Sequence, residues 1–186
     1  MVTYDLITPE NKEKLTPELI EELSRVTLNS VEGFTNLHMS LLRSYYNTLK
    51  TSKKINFRIF MTYKNEKMIG FLTFRHNHNN RNEFEISHFF VDKKLTTTTD
   101  KIGTKLMIKA LSHLIHKDKI NTLSPGLAVD GKVHTLINKM FERINKNNSY
   151  KKYSLESKSL GQGNLEYIKN GEIISVHKNK IKINRK

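Results

Sequence analysis

Residues 84–92 read FEISHFFVD, 93–105 read KKLTTTTDKIGTK and 106–110 read LMIKA, and this stretch decides the fold. The first part is Phe, Ile and Val with aromatic neighbours and neither Pro nor Gly, which suits a central, well-buried strand. Over residues 93–101 the hydrophobic pattern stops. It resumes as Ile102, Leu106, Ala110, Leu111, Leu114 and Ile115, the spacing of one helix face. Asp100 stands where an N-cap is expected, just ahead of that face. Gly103 falls in the first turn, a costly place for Gly unless something must approach the backbone closely. A strand that feeds a polar turn and then a helix N-terminus aims unpaired N–H groups at one point, which makes an anion site.

Working outward, 186 residues suffice for one domain with a proper core. We expect a single domain over residues 1–177, followed by a basic, frayed tail at 178–186. Hydrophobic content of 37% and charged content of 27% predict a soluble globular chain. No run approaches the ~18 apolar residues of a membrane span, so no membrane role is expected. The opening MVTYDLITPENK lacks a basic region followed by an apolar core, so no secretory signal is expected. Zero Cys excludes disulfides and thiolate catalysis and fits an intracellular, cytoplasmic protein. The net charge of +14 predicts attraction to nucleic acid, acidic protein or a phosphorylated cofactor, unless it is a lysine bias spread over the whole surface.

Taken in order, residues 2–7 alternate as a short strand. Thr16, Pro17 and Glu18 then open a helix as cap, first residue and acid near the positive end. Glu32-Gly33 breaks the chain, and a second helix is expected to turn Phe34, Leu37, Leu41, Leu42, Tyr45 and Leu49 inward. From Ile55 the period becomes two, with a hairpin turn at Lys64-Asn65-Glu66-Lys67 and a return strand over 68–74. A third antiparallel strand spans 83–91, and the helix runs from about Asp100 to Lys117. Residues 122–129 read as a parallel strand interrupted by Pro125-Gly126, and a last helix holds Val133, Leu136, Ile137, Met140, Phe141 and Ile144. Strands are expected over 150–157, 165–168 and 173–176, with Asn170-Gly171 as a hairpin turn.

The 84–110 stretch resembles the central motif of the GNAT acetyltransferase superfamily. There a strand ending near a Val-Asp pair precedes Gln/Arg-x-x-Gly-x-Gly/Ala, whose amides hold the pyrophosphate of acetyl-CoA. Thr98 takes the Gln/Arg place, Lys101 the first Gly and Gly103 the second. Lys101 thus departs from the pattern, and the loop after Asp92 is about two residues longer than usual. The element order read from periodicity coincides with that fold. The resemblance therefore implies an α+β (mixed α/β), GNAT-like fold with a central, mostly antiparallel sheet splayed between strands four and five and flanked by helices. Pro125-Gly126 would suit such a splay, or the fifth strand simply starts at Leu127.

The resemblance also implies a function: transfer of acetyl from acetyl-CoA, as co-substrate, to the primary amine of an unidentified acceptor. It points to cofactor binding by Phe90, Val91, Thr98, Thr99, Lys101, Ile102, Gly103, Thr104 and Lys105. Glu85 falls where one branch of the family has its glutamate base, or else is a solvent-facing strand residue. His88, three residues on, faces the other side of the sheet; its ordinary pKa would suit a base, and packing in the core is the alternative. The family's Tyr in the helix after strand five is replaced by Ile137, one Gly of that pattern is missing, and His134 lies one turn before. Lys101, Lys105, Lys109, His113 and Lys117 step by four along one helix, as a solvated face, as neighbours of cofactor phosphates, or as a track for nucleic acid. The second function carried forward is a non-catalytic GNAT-like domain that binds protein or nucleic acid through this basic surface. A third combines both as a nucleic-acid-modifying acyltransferase. His76-Asn-His78 and His113-x-x-His116 have ligand spacing but no Cys or carboxylate to complete a metal site.

Overall fold

The computed structural model describes residues 1–31, 35–76, 83–120, 122–124, 127–128, 139, 146, 153–169 and 172–185. The chain falls into two compact units: Met1–His76 with Ser87–Ser112, and Asn77–Ile86 with His113–Lys186.

The first unit opens with β1 (Val2–Ile7), which pairs antiparallel with β2 (Phe57–Lys64). β2 returns through Asn65 and Glu66 into β3 (Lys67–His76), with Lys64 facing Lys67 across the turn. Both turn residues have positive φ, 50° and 64°, as a two-residue turn matched to the strand twist demands. β4 (Glu83–Val91) follows β3 in strand order, and the Asp92 amide donates to the Ile69 carbonyl at 2.9 Å to close that ladder. Gly70 is required here. A Cβ at that position would stand 3.1 Å from the Phe90 carbonyl oxygen and 3.3 Å from Thr62 Cγ2.

Helices α1 (Pro17–Ser30) and α2 (Asn36–Thr51) share a core with Phe57, Ile59, Met61 and Phe71 of the sheet. α1 starts as expected, with the Thr16 hydroxyl accepting from the Leu19 amide and Pro17 in the first turn. α2 is rotated from the expected face. Met39, Leu42, Tyr46 and Leu49 are buried, whereas Leu37 and Leu41 are exposed by 68% and 61%. The sequence offers two overlapping stripes at spacings of three and four, and both satisfy the helical period. The stripe that wins carries Tyr46, whose hydroxyl finds a partner in the sheet. Phe34 lies outside the described residues.

α3 spans Ile102–His116 and buries the expected stripe, Ile102, Leu106, Ala110, Leu111, Leu114 and Ile115, together with Met107. Its start corrects the cap assignment. Thr98–Asp100 forms a separate 3-10 turn in which the Asp100 carboxylate accepts from the Thr97 amide at 2.9 Å. Lys101 then occupies the cap place, its carbonyl accepting the Lys105 amide at 3.0 Å.

In the second unit, β4 pairs parallel with β5 (Thr122–Ser124) over three rungs only, Glu83 with Thr122 through Glu85 with Ser124. The continuation β6 (Leu127–Ala128) pairs instead with β8 (Glu172–Arg185). The expected strand at 122–129 is therefore two short strands on either side of Pro125-Gly126. β7 (Tyr153–Lys169) and β8 form one long antiparallel hairpin that ends with Lys169 opposite Glu172, where Asn170-Gly171 is expected to turn. The separate strands expected at 150–157 and 165–168 merge into β7. Residues 178–185, expected to fray, continue the β8 strand. The helix expected after the fifth strand, with His134 and Ile137, lies outside the described residues, apart from helical Lys139 and Lys146.

Candidate active site

The loop leaving β4 is organised by Asp92, which is fully buried. Its Oδ2 accepts from Arg25 Nη1 at 2.6 Å and Asn29 Nδ2 at 2.9 Å. Its Oδ1 accepts the amides of Lys94 and Leu95 at 2.9 and 3.1 Å. One carboxylate thereby ties the C-terminal half of α1 to the turn that leads into α3. Arg25 also donates to the Met68 carbonyl at 2.6 Å, and Ser30 Oγ to the Val91 carbonyl at 2.7 Å. The end of β4 is thus fixed from three sides. The sequence reading missed Arg25 and Asn29: polar residues four apart on a helix signal nothing until their partner is known.

Lys101 has left-handed backbone angles, φ 51° and ψ 32°. The resemblance puts it in the place of a Gly, and the conformation is the reason. Gly adopts it freely, whereas a side chain there costs roughly 1–2 kcal/mol. A lysine cannot cap with a side-chain oxygen, so the first amides of α3, those of Ile102, Gly103 and Thr104, have no intrahelical acceptor and no cap from Lys101. Lys101 and Lys105 are exposed, as are Thr98 and Thr99 on the turn before. Asp100 lies within electrostatic reach of Lys64 and Lys105, and its hydrogen bond from the Thr97 backbone holds its carboxyl below the usual range.

What approaches Gly103 closely within the protein is β4. A Cβ there would stand 3.1 Å from the Phe89 ring and 3.5 Å from Val91 Cγ2, so the missing side chain lets helix and strand close on each other. Phe90 turns the other way. Its ring joins the core under α1 and α2, 5.4 Å from Phe71, which leaves its main chain as the part that could meet a ligand.

His88 points into the same α2-facing layer. Its Nδ1 is 3.2 Å from the Tyr46 hydroxyl, which is 2.8 Å from Thr73 Oγ1, and the Tyr45 ring meets it edge-on at 4.7 Å. Burial, aided by the Arg75 charge, lowers its pKa from 6.5 to about 4. Burial likewise raises the Tyr46 phenol well above its usual value. Neither group exchanges protons readily at neutral pH, so the cluster is a neutral hydrogen-bonded chain. An unfolded chain takes up this proton near pH 6.5 and the folded one only near pH 4, so stability falls with pH across that window. The expected loss attributable to His88 is up to about 3 kcal/mol, and His88→Gln should flatten that limb. Urea titrations of parent and variant from pH 7 to 4.5 test this; parallel stability curves would remove the assignment.

Glu85 is half-buried on β4 at the last rung of the β4–β5 ladder, opposite Ser124. The structure brings Phe89, Val91, Gly103 and the start of α3 together. Among the described residues no cluster of His, Asp and Glu could hold a metal ion, and no helix is long and apolar enough to cross a membrane.

No protein-family profile and no curated protein matches this sequence. Solved structures do match in fold. The ribosomal-protein-S18-alanine N-acetyltransferase of Escherichia coli superposes with a TM-score of 0.67 at 10% identity, over 100% of this chain and 96% of that one. A spermidine/spermine N-acetyltransferase from Vibrio cholerae gives 0.60 at 11% identity, over 97% and 92%. A GNAT-family acetyltransferase from Streptococcus pneumoniae gives 0.57 at 15% identity, over 99% and 100%. At such identities the likeness is one of architecture, and the architecture of this chain is the GNAT N-acetyltransferase fold.

Proposed function

We propose that the chain is an acetyl-CoA-dependent N-acetyltransferase acting on a primary amine, in a small molecule or a protein. The observation that carries this reading is the start of α3 within a GNAT fold: three uncapped amides beside the exposed ammonium groups of Lys101 and Lys105. That donor set suits a pyrophosphate, since the amides donate to its oxygens while the helix dipole and the lysines offset its charge. Thr98 and Thr99 add hydroxyl donors, and Ile102, Gly103 and Thr104 supply the amides. Phe90 and Val91 would contribute main chain at the strand end. Spermidine and the ribosomal-protein alanine, named for two of the similar structures, are amine acceptors, which supports an amine here.

Acetyl-CoA brings an activated thioester. The amine nitrogen bonds to the carbonyl carbon, the C–S bond breaks and the thiolate takes up a proton. An alkylammonium with a pKa of about 10 must first lose its own proton, and we assign that step to Glu85, directly or through a water. His88, neutral above about pH 4, serves as a hydrogen-bonding group at the strand rather than as a proton store.

Acetyl-CoA at ~100 times its Kd is expected to stabilise the protein by about 2.7 kcal/mol, a Tm rise of roughly 5–10 °C. Lys101→Glu with Lys105→Glu should remove most of that rise. No shift at millimolar acetyl-CoA would overturn the reading and favour a non-catalytic domain, which the exposed lysines around the start of α3 also suit.

A further inference from the structure

Inside the first unit positive charge is unevenly distributed. Among the described residues of 1–56, seven basic side chains face six acidic ones. Seven lysines of the same unit lie at one end of its sheet and along α3: Lys64, Lys67, Lys93, Lys94, Lys101, Lys105 and Lys109, all exposed. Three acids of the described residues lie among them, Glu66, Asp100 and Glu22, whose carboxylate accepts the Met68 amide at 2.9 Å, while Asp92 is buried with Arg25. None of the seven forms an ion pair with a carboxylate among the described residues.

The topology gathers them. Lys64 and Lys67 face each other at the β2–β3 turn. The Asp92–Ile69 bond sets the end of β4, with Lys93 and Lys94, beside the start of β3. Gly103 on Phe89 and Val91 brings the first turn of α3 to that same strand end, and Asp100 senses both Lys64 and Lys105. From there Lys101, Lys105 and Lys109 continue in a line, about 6 Å apart at 1.5 Å rise per residue.

We infer that this surface binds the phosphate backbone of nucleic acid, without reading its bases. Evenly spaced ammonium groups suit a polymer of evenly spaced charges, and lysine meets phosphate as a point charge. A protein partner would want an apolar or aromatic centre. Here the large exposed hydrophobics of the described residues, Met1 and Tyr4 at β1, Leu28 and Val31 at the end of α1, Leu37 and Leu41 on α2 and Leu95 after β4, come from separate elements and include a single aromatic ring.

The test is fluorescence anisotropy with a labelled 30-nucleotide single strand of mixed sequence. With about five phosphates engaged, affinity should fall roughly 100-fold between 50 and 200 mM salt. Lys64→Glu/Lys67→Glu/Lys94→Glu should weaken binding at least ~10-fold at low salt and flatten the salt slope. Lys14→Glu/Lys53→Glu/Lys54→Glu changes the net charge equally and should cost less than ~3-fold. Should the first triple variant lose its folding transition, the corresponding Lys→Gln set must still weaken binding more than its control. Equal losses in the two sets, or binding that ignores salt, would overturn the proposal. So would polyglutamate competing as well as nucleic acid, charge for charge, which would point to an acidic protein instead.

Discussion

Glu85→Gln is expected to leave acetyl-CoA binding intact and to lower turnover of a primary amine by ~10²-fold or more at pH 7. Gln keeps the size and polarity of the side chain at the last rung of the β4–β5 ladder, so the strand pairing of Glu85 with Ser124 should persist. What it loses is the ability to accept a proton. At neutral pH only about one alkylamine in a thousand is free base, so the step that Glu85 would perform limits the rate. The deficit should therefore shrink as pH rises toward 10 and the free amine becomes abundant. Thiol release measured from pH 7 to 10, with calorimetry of acetyl-CoA binding alongside, reads both halves. Equal turnover by variant and parent throughout would reduce Glu85 to a strand residue. A parent that binds acetyl-CoA but turns over no amine would instead sink the enzymatic reading as a whole.

Asp92→Ala should destabilise the protein by about 3–5 kcal/mol, the range for removing one partner of a buried charged pair. The substitution strips Arg25 and Asn29 of their acceptor and leaves the amides of Lys94 and Leu95 unpaired. Arg25 is 37% exposed and keeps the Met68 carbonyl, so part of its charge can be hydrated. Arg25→Ala should accordingly cost less than Asp92→Ala. Asp92→Asn retains an acceptor for the two amides and should fall between parent and Ala, at about 2 kcal/mol. Denaturant midpoints give these differences, and an Asp92→Ala loss under ~1 kcal/mol would show that the loop anchors itself by other means. Because the same carboxylate holds the turn leading to α3, affinity for acetyl-CoA should drop with it, even at temperatures where the variant is folded.

Several elements were legible because a single period or a local chemistry fixes them. The α3 stripe runs from Ile102 to Ile115 at helical spacing with no competitor, and all of it is buried. Thr16 and Pro17 start α1 through contacts within four residues. The β2–β3 hairpin was read from its alternation and its turn, although Glu66 sits at φ 64° where Gly would be at ease. Elsewhere two local solutions were nearly equal. Asp100 looks like the cap of α3, yet closing its own turn onto the Thr97 amide satisfies it sooner. Leu37 and Leu41 looked as fit for the core as Met39 and Tyr46.

By itself, then, the sequence determined the order of strands and helices from β1 to α3, and through that order the fold class, because side-chain periodicity and capping act over a few residues and survive in any context. Tertiary structure alone decided which face of α2 turns inward, why Gly103 lacks a side chain, and what Asp92 and His88 do. Those outcomes depend on partners distant in sequence, 12 residues away for Gly103 with Val91, 42 for His88 with Tyr46 and 67 for Asp92 with Arg25. A buried polar group is satisfied only by the donor that folding delivers to it, and no local pattern in the chain names that donor in advance.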